Sequence, residues 1–528
     1  MDTTPIVSSE TKEERPLGLS STITKNIFAS LVRVIAVSLV ALILPAYLTH
    51  HLPVTTYAAW VLILQLAAYV SYLDLGVQTA VSKFVAEFDA KQDKIEVGRH
   101  VSAGFVLMIF AGILGLILSF LLAWQVPRLF SKMPADLYHD VRLSVIFVGA
   151  SLSFGLVCAV YSAVFLGLQR YWVPMTISIV NRSSFALIVI AVVFLHGSLV
   201  AMGIAVALVN VIAGLLQVIA WRKYASHIPV SLRLIHTSVL KIVARYCSLQ
   251  SVWTFGMLCV AGLDVTIVGH YDYAQTGYYS IATLPTSFLL LIMSAVMNPL
   301  MPASSAMSTR SSALEMGSFL ARITRYSTIV LLLTGLPLIV CGLPILRLWV
   351  GSAYAISTFG FLQILVFANI LRNLCLPYAT MITAIGRQGA AIATAVSEAV
   401  VNLGCSIYLA KHFGAMGVAM GTLIGSMVSV CLHFLITMHF TYSSLTITRT
   451  RLFFRGICRP AMIAIPSLCL IPLWKGTAEL SPLLIFIWAI TTLAIAVFGT
   501  LNENERKRTR HLLTDSIRMK FAFARSFS

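Results

Sequence analysis

The sequence predicts an all-α integral membrane protein with about 14 transmembrane helices. These form two pseudo-symmetric six-helix lobes followed by two C-terminal helices. Three observations predict this class. Fourteen apolar stretches run from Ile27 to Leu501 with little soluble sequence between them. Charged residues are 11% of the chain and mean hydropathy is +0.90, so a water-soluble fold would expose apolar surface it could not cover. Short sequence blocks also recur at offsets of 218 to 221 residues. A bilayer solvates apolar faces, and a helix satisfies its own backbone there.

Residues 1–23 are polar and mixed in charge (Glu10, Lys12, Glu13, Glu14, Arg15), with no cleavable apolar segment behind them. They read as a disordered cytoplasmic N-terminus. The first lobe, 24–221, holds spans at 24–49, 57–82, 101–125, 141–168, 172–196 and 198–221. A basic cytoplasmic linker, 222–245, leads to the second lobe, 246–440, with spans at 246–269, 277–303, 322–346, 355–384, 388–411 and 414–440. Accessory spans at 453–474 and 482–501 fall within 441–501, and a basic cytoplasmic tail occupies 502–528.

Charge placement gives the orientation. With the N-terminus in the cytoplasm, 28 of the 37 Lys and Arg fall on that side, 6 opposite and 3 within spans. This bias places both termini in the cytoplasm. The net charge of +18 therefore reports topology and contact with anionic inner-leaflet lipids, and a nucleic-acid partner is not expected. The tail interleaves Arg506, Lys507, Arg508 and Arg510 with Leu512, Leu513, Ile517 and Phe521. It reads either as an amphipathic helix on the inner leaflet or as a solvated basic segment. The nine cysteines lie in or near apolar spans, form no C-x-x-C pair and have no histidine at ligand spacing. They read as small apolar fillers, with no metal or cofactor expected.

The repeat is visible in three places. Val200-Ala201-Met202-Gly203 recurs as Val418-Ala419-Met420-Gly421, Gly167-Leu168-Gln169 as Gly386-Arg387-Gln388, and Thr56-Tyr57 as Gly277-Tyr278. An offset spanning six helices gives both copies one orientation, with a cleft between them suited to alternating access. Pro45, Pro299, Pro302, Pro337 and Pro344 are candidate helix breakers, read either as gating elements or as ordinary membrane-helix prolines.

Several blocks carry a family resemblance: Asn26 through Arg33, Pro45-Ala46-Tyr47-Leu48, Tyr57-Ala58-Ala59-Trp60, Leu73-Asp74-Leu75-Gly76 and Val85-Ala86-Glu87-Phe88. Gly277 through Ala282 and Gly414 through Thr422 continue it. On these the chain resembles the polysaccharide transporters, the O-antigen and oligosaccharide flippases of the multidrug/oligosaccharidyl-lipid/polysaccharide (MOP) exporter superfamily. The extra helix pair resembles its fourteen-helix branch. The resemblance implies translocation of an undecaprenyl-pyrophosphate-linked O-antigen, exopolysaccharide or capsule unit across the bacterial cytoplasmic membrane. It also implies a glycan polymerase and glycosyltransferases as pathway neighbours.

Ionisable groups inside spans are costly in hydrocarbon and mark candidate sites. Arg182 and Glu398 lie deep and at nearly repeat-equivalent positions, so they are expected to face each other across the cleft. Arg372 has Asn369 and Asn373 on neighbouring turns; Asn181 adjoins Arg182. Arg33 lies about 9 Å inside span one at helical rise. Arginine grips phosphate or carboxylate through a planar fork, so Arg33, Arg182 and Arg372 are candidate substrate groups together with Asn181, Asn369 and Asn373. Asp74, Asp264 and Glu398 are candidates to hold those arginines or bind a coupling cation. Each has a blander reading: Arg33 as a snorkelling residue, Asp74 as a helix cap, Asp264 as a solvated interfacial acid, and Arg182 with Glu398 as a fixed ion pair. Gln65, Asn210, Gln217, Gln250, Asn298 and Asn402 complete the polar set.

The chain is not expected to be an enzyme. The outer connection at Val126–Asp140 is short, and no phosphate-cradling glycine loop or G-x-S-x-G motif is present. A MATE-like drug/cation antiporter on the same fold is the main rival reading. It calls for a mainly acidic cleft, whereas this one offers at least as many arginines as acids. A lipid II flippase would differ in its glycan.

Overall fold

The computed structural model describes residue 38 and residues 40–297, 300–308, 311–387, 389–441, 445–470 and 481–500. The expected N-terminal segment, the basic tail, Arg33, Asn298, Pro299 and the side chain of Gln250 lie outside the described set. Among the described residues every regular element is helical.

The helices form because long apolar runs must satisfy their backbones internally, and they pack through small residues while turning large ones to lipid. Helix α4 (Lys94–Leu129) makes this plain: Gly104, Ala111, Gly112, Gly115 and Ser119 are buried. On its other side Ile109, Phe110, Ile113, Ile117, Phe120 and Trp124 are exposed. Asp93 starts it by accepting from the Ile95 and Glu96 amides, the ordinary way to satisfy donors at a helix start.

Around α4 the first half comprises α1 (described over 40–51), α2 (Val54–Ala68), α3 (Val77–Ala90), α5 (Leu137–Gly167), α6 (Trp172–Phe194) and α7 (Leu199–Tyr224). Between α2 and α3 a tight turn, Tyr69–Asp74, ends with Leu75 and Gly76 at φ of 47° and 84°. The second half comprises α8 (Thr237–Met257), α9 (Asp264–Tyr271), α10 (Thr276–Met297), α11 (Leu300–Ser308), α12 (Ala313–Val340), α13 (Gly342–Val350), α14 (Ser352–Leu374), α15 (Leu376–Ala384) and α16 (Gly389–Leu432). A wide π turn, Leu258–Gly262, separates α8 from α9. Two last spans, α17 (Arg449–Leu470) and α18 (Pro482–Thr500), follow.

Twelve stretches among the described residues are long and apolar enough to cross a bilayer, matching the expected spans two to fourteen because one of them holds two. That one, Ile392–Thr441, has 50 residues. Straight, it would run about 75 Å through a hydrocarbon core of about 30 Å. It reverses at Gly414, whose φ of 57° and ψ of −136° are not helical. A Cβ on Gly417 would meet Leu409, on Gly421 Ser406 and on Gly425 Asn402, so the two arms of α16 run antiparallel.

Several boundaries differ from the sequence expectation. Helix α3 continues to Ala90, past the expected end at 82, and α8 begins at Thr237 inside the expected linker. The irregular part of the linker therefore shrinks to 225–236. It is held to the first half where Ser231 N–H donates to Ser102 Oγ at 3.2 Å. A helical start lets α8 bury Val239, Val243 and Cys247 against α3 and α4.

The same helix pairing recurs in both halves. Helices α2, α4 and α7 pack on α5 as α10, α12 and the arms of α16 pack on α14. One molecular face carries the 225–236 segment and is called the linker face; the connections at 130–136, 351 and 414 lie on the far face.

Candidate functional site

A cavity of about 680 Å³ lies between the halves. Helix α2 and the turn after it line the cavity from Tyr57 through Trp60 and Gln65 to Ser71. Tyr57 and Trp60 are buried at the far end and Ser71 is exposed at the other, so the cavity opens toward the linker face. Helix α6 contributes Ser178, Asn181 and Arg182, and α7 contributes Asn210 and Gln217. The second half closes the remaining wall with Val265, Ser280 and Thr283.

Arg182 is the charged residue among the described lining groups, about 15 Å along α6 from Trp172. It is exposed to the cavity. Asn210 Nδ2 also donates to Ser151 Oγ at 3.0 Å, which fixes one amide in the wall. Gln65 Nε2 reaches the carbonyl of Gly262 at 2.6 Å, and the Tyr69 hydroxyl donates to the same oxygen at 3.1 Å. That acceptor is available because the backbone widens at Leu258–Gly262. Gln65 thus lines the cavity and ties the two halves together.

The far end is sealed by aromatic contact. Tyr57 meets Tyr354 edge-on at 5.9 Å between ring centroids, and Tyr278 meets Tyr354 at 5.2 Å. Gly277 makes room: a Cβ there would lie 3.2 Å from Tyr57 Cδ1. Hydrogen bonds ring the same face, from Tyr273 to the Thr55 carbonyl at 2.8 Å and from Trp349 to the Leu42 carbonyl at 2.7 Å.

The remaining candidate residues fall elsewhere. Glu398 does not face Arg182. Its Oε1 accepts from Arg372 Nε at 2.5 Å, inside the second half. The correction has a simple cause: α16 packs on α14 and α9, whereas α6 packs on α7 and α5, so repeat-equivalent depth does not bring the two residues together. Arg372 does not line the cavity. Asn369 and Asn373 are buried and donate to their own helix, at the Leu365 and Asn369 carbonyls. Asp264 is also buried rather than solvated at an interface, and its Oδ2 accepts from Thr422 at 3.2 Å and Tyr279 at 3.4 Å. Asp74 Oδ1 accepts from the Gln78 amide at 3.2 Å, capping the start of α3 after the left-handed turn. Of the uncharged set Gln65, Asn181, Asn210 and Gln217 line the cavity, whereas Asn402 is fully buried between the arms of α16.

Sequence reasoning did not single out Trp60, Ser71, Ser178 or the tyrosine seal. A signal for the seal was present, because the recurring Thr56-Tyr57 and Gly277-Tyr278 pairs place both Tyr57 and Tyr278 there.

The arrangement of helices is shared with solved transporters. The chain superposes on the lipid II flippase MurJ, in an inward closed conformation, with a TM-score of 0.68 and 12% identity. That match covers 90% of this chain and 98% of the other. A multidrug resistance MATE family transporter, inward-facing, gives a TM-score of 0.64 at 14% identity, covering 78% and 95%. This chain has the fold of the MOP-superfamily transporters. A MOP superfamily transporter from Pyrococcus furiosus gives 0.54 at 15% identity over 81% and 96%. Among curated proteins the chain is 24% identical over 225 residues to the probable low-salt glycan biosynthesis flippase Agl15 of Haloferax volcanii, covering 42% of this chain. It spans 47% of that relative's length, about half. No family model matches the chain.

Proposed function

We propose that this protein moves a lipid-linked oligosaccharide across a membrane, taking its headgroup into the cavity between the halves while the lipid tail stays in the bilayer. One observation carries this reading: a cavity of about 680 Å³ whose described lining, apolar over most of its wall, sets one arginine among amides and hydroxyls and holds no carboxylate. Amides and hydroxyls suit a sugar, and a guanidinium suits phosphate or a carboxylate-bearing sugar. The volume falls within the ~300–1,000 Å³ typical of small-ligand sites, enough for a headgroup and its first sugars. The partial similarity to a glycan flippase supports the same cargo class. A drug/cation antiporter is a poorer fit, because a cationic cargo would meet Arg182 and no acid along the described wall.

In this reading the protein is a transporter and not an enzyme. The linker face is cytoplasmic, as the Lys and Arg bias suggests, and the membrane is the cytoplasmic one. The cavity then receives cargo made on that side by glycosyltransferases and releases it opposite, where a polymerase takes it up. Arg182 is the substrate-gripping residue, with Asn181 beside it; the same role for Arg33 rests on the sequence alone.

Expression in a strain lacking a defined glycan flippase tests the proposal. Wild type restores surface polymer and clears the accumulated lipid-linked precursor. Arg182→Ala lowers export at least tenfold at unchanged protein abundance, the scale of one lost charge-assisted contact of about 1.5–3 kcal/mol. Export by Arg182→Ala equal to wild type would refute the assigned grip.

A further inference from the structure

Gln65 faces two ways. Its side chain is half-buried and lines the cavity, while its Nε2 donates across the halves to the Gly262 carbonyl at 2.6 Å. Gly262 ends the π turn Leu258–Gly262, where the widened backbone leaves this oxygen to donors from the first half. The Tyr69 hydroxyl donates to the same oxygen at 3.1 Å, but Tyr69 is not among the described lining groups. One acceptor of the second half thus holds two donors of the first, and Gln65 is the donor within reach of cargo.

Helix α9 follows the π turn directly and runs eight residues, ~12 Å, from this tie toward the far face. Asp264 fastens its near end to the second half through Thr422 and Tyr279. At its other end Lys132 Nζ donates to the Tyr271 carbonyl, and His270 Nδ1 bonds the Leu129 carbonyl. Tyr273, just beyond, donates to the Thr55 carbonyl at 2.8 Å. One short rigid element therefore carries bonds to the first half at both ends, one set at the cavity and one at the seal.

We propose that Gln65 is a cargo-sensing latch: a sugar oxygen in the cavity takes its Nε2 donor from the Gly262 carbonyl, and the released α9 lets the far face open. The amide is one planar unit, so turning it to the cargo draws Nε2 off Gly262. The exchange strands no buried group. Tyr69 stays on the Gly262 oxygen, and the amide gains a sugar hydroxyl or acetamido carbonyl as its acceptor.

A ligand shifts a conformational equilibrium only by binding one state better than the other. Gln65 supplies that difference, because it meets cargo fully only after leaving Gly262. The shift is up to about tenfold, the scale of one net hydrogen bond. This latch rests on the transport reading above, to which it adds the residue that reports cargo to the sealed end.

Pulsed electron–electron distances between spin labels on Ala135→Cys and Ala353→Cys test it, in lipid nanodiscs with native cysteines replaced. Both sites are exposed on the far face, one on each half. The probe is the lipid-linked precursor extracted from the flippase-deficient strain. With Gln65 intact, added precursor raises a longer distance component. Gln65→Leu, which removes the donor, and Gln65→Asn, which shortens its reach, show that component before precursor and gain none on its addition. Tyr69→Phe raises the component as well, because the tie is weaker, yet still responds to precursor. A response in both Gln65 variants equal to that of the intact protein overturns the proposal. So does bound precursor that leaves the intact protein's distances unchanged, or a far face that stays shut in both variants without precursor. If both variants open as stated while the intact protein neither binds precursor nor restores export, the cargo reading fails and the latch stands.

Discussion

Arg182 and Arg372 carry the same charge inside the membrane region, and their surroundings give them opposite duties. Arg182 opens onto the cavity, whereas Arg372 is enclosed with Glu398, their side chains 19% and 10% exposed. Removing one partner of an enclosed ion pair strands the other in low dielectric, at a cost of about 3–5 kcal/mol. Arg372→Ala is therefore expected to lower the thermal unfolding midpoint of the purified protein by several degrees, and Arg372→Met with Glu398→Leu to recover most of that loss. Equal midpoints for Arg372→Ala and wild type would show that the pair carries little stability. The depth of both arginines was legible, because hydropathy places them inside long apolar runs. Their partners were not: Glu398 meets Arg372 through the packing of α14 on α16, a tertiary choice that no spacing encodes.

At the scale of the element, most of the helices follow from apolar length, while the departures from helix do not. The turn at Tyr69–Asp74 and the π turn at Leu258–Gly262 keep their apolar character, so hydropathy passes through them unbroken. Gly414 is the readable exception, since two spans cannot fit one bilayer crossing without a reversal near it. The arms of α16 then close on glycine: a Cβ at Gly421 would lie 2.5 Å from Ser406 N and 2.6 Å from its Cα. Backbone is on the receiving side, so the arms must part to admit any side chain. Gly421→Leu should cut the folded yield in size-exclusion profiles severalfold. Gly404→Leu, where nothing lies within 4 Å, should match wild type. A monodisperse Gly421→Leu protein would mean that the arms tolerate separation.

At the scale of the molecule, the halves meet at both ends: a tyrosine seal closes the far face, and nearer the linker face α8 packs on α3 and α4 while Gln65 and Tyr69 bond Gly262. The tyrosine seal, the Tyr273 and Trp349 hydrogen bonds and the Gly277 contact all fall on the far face. A cavity sealed at its far end is what rocking halves need, since cargo leaves on that side only when the seal opens. The seal is also small: aromatic pairs contribute about 0.5–1.5 kcal/mol beyond their burial, so a few such contacts hold one state without trapping it. A covalent bridge across it should therefore stop turnover. With native cysteines replaced, Tyr57→Cys and Gly277→Cys joined by a short bis-methanethiosulfonate linker are expected to abolish glycan export, and reductant to restore it. Each single-cysteine variant, treated alike, controls for loss of the side chains and for labelling. Undiminished export by the bridged protein would mean that the far face never opens there, and the route for the cargo would have to run along the lipid-facing edge between the halves instead.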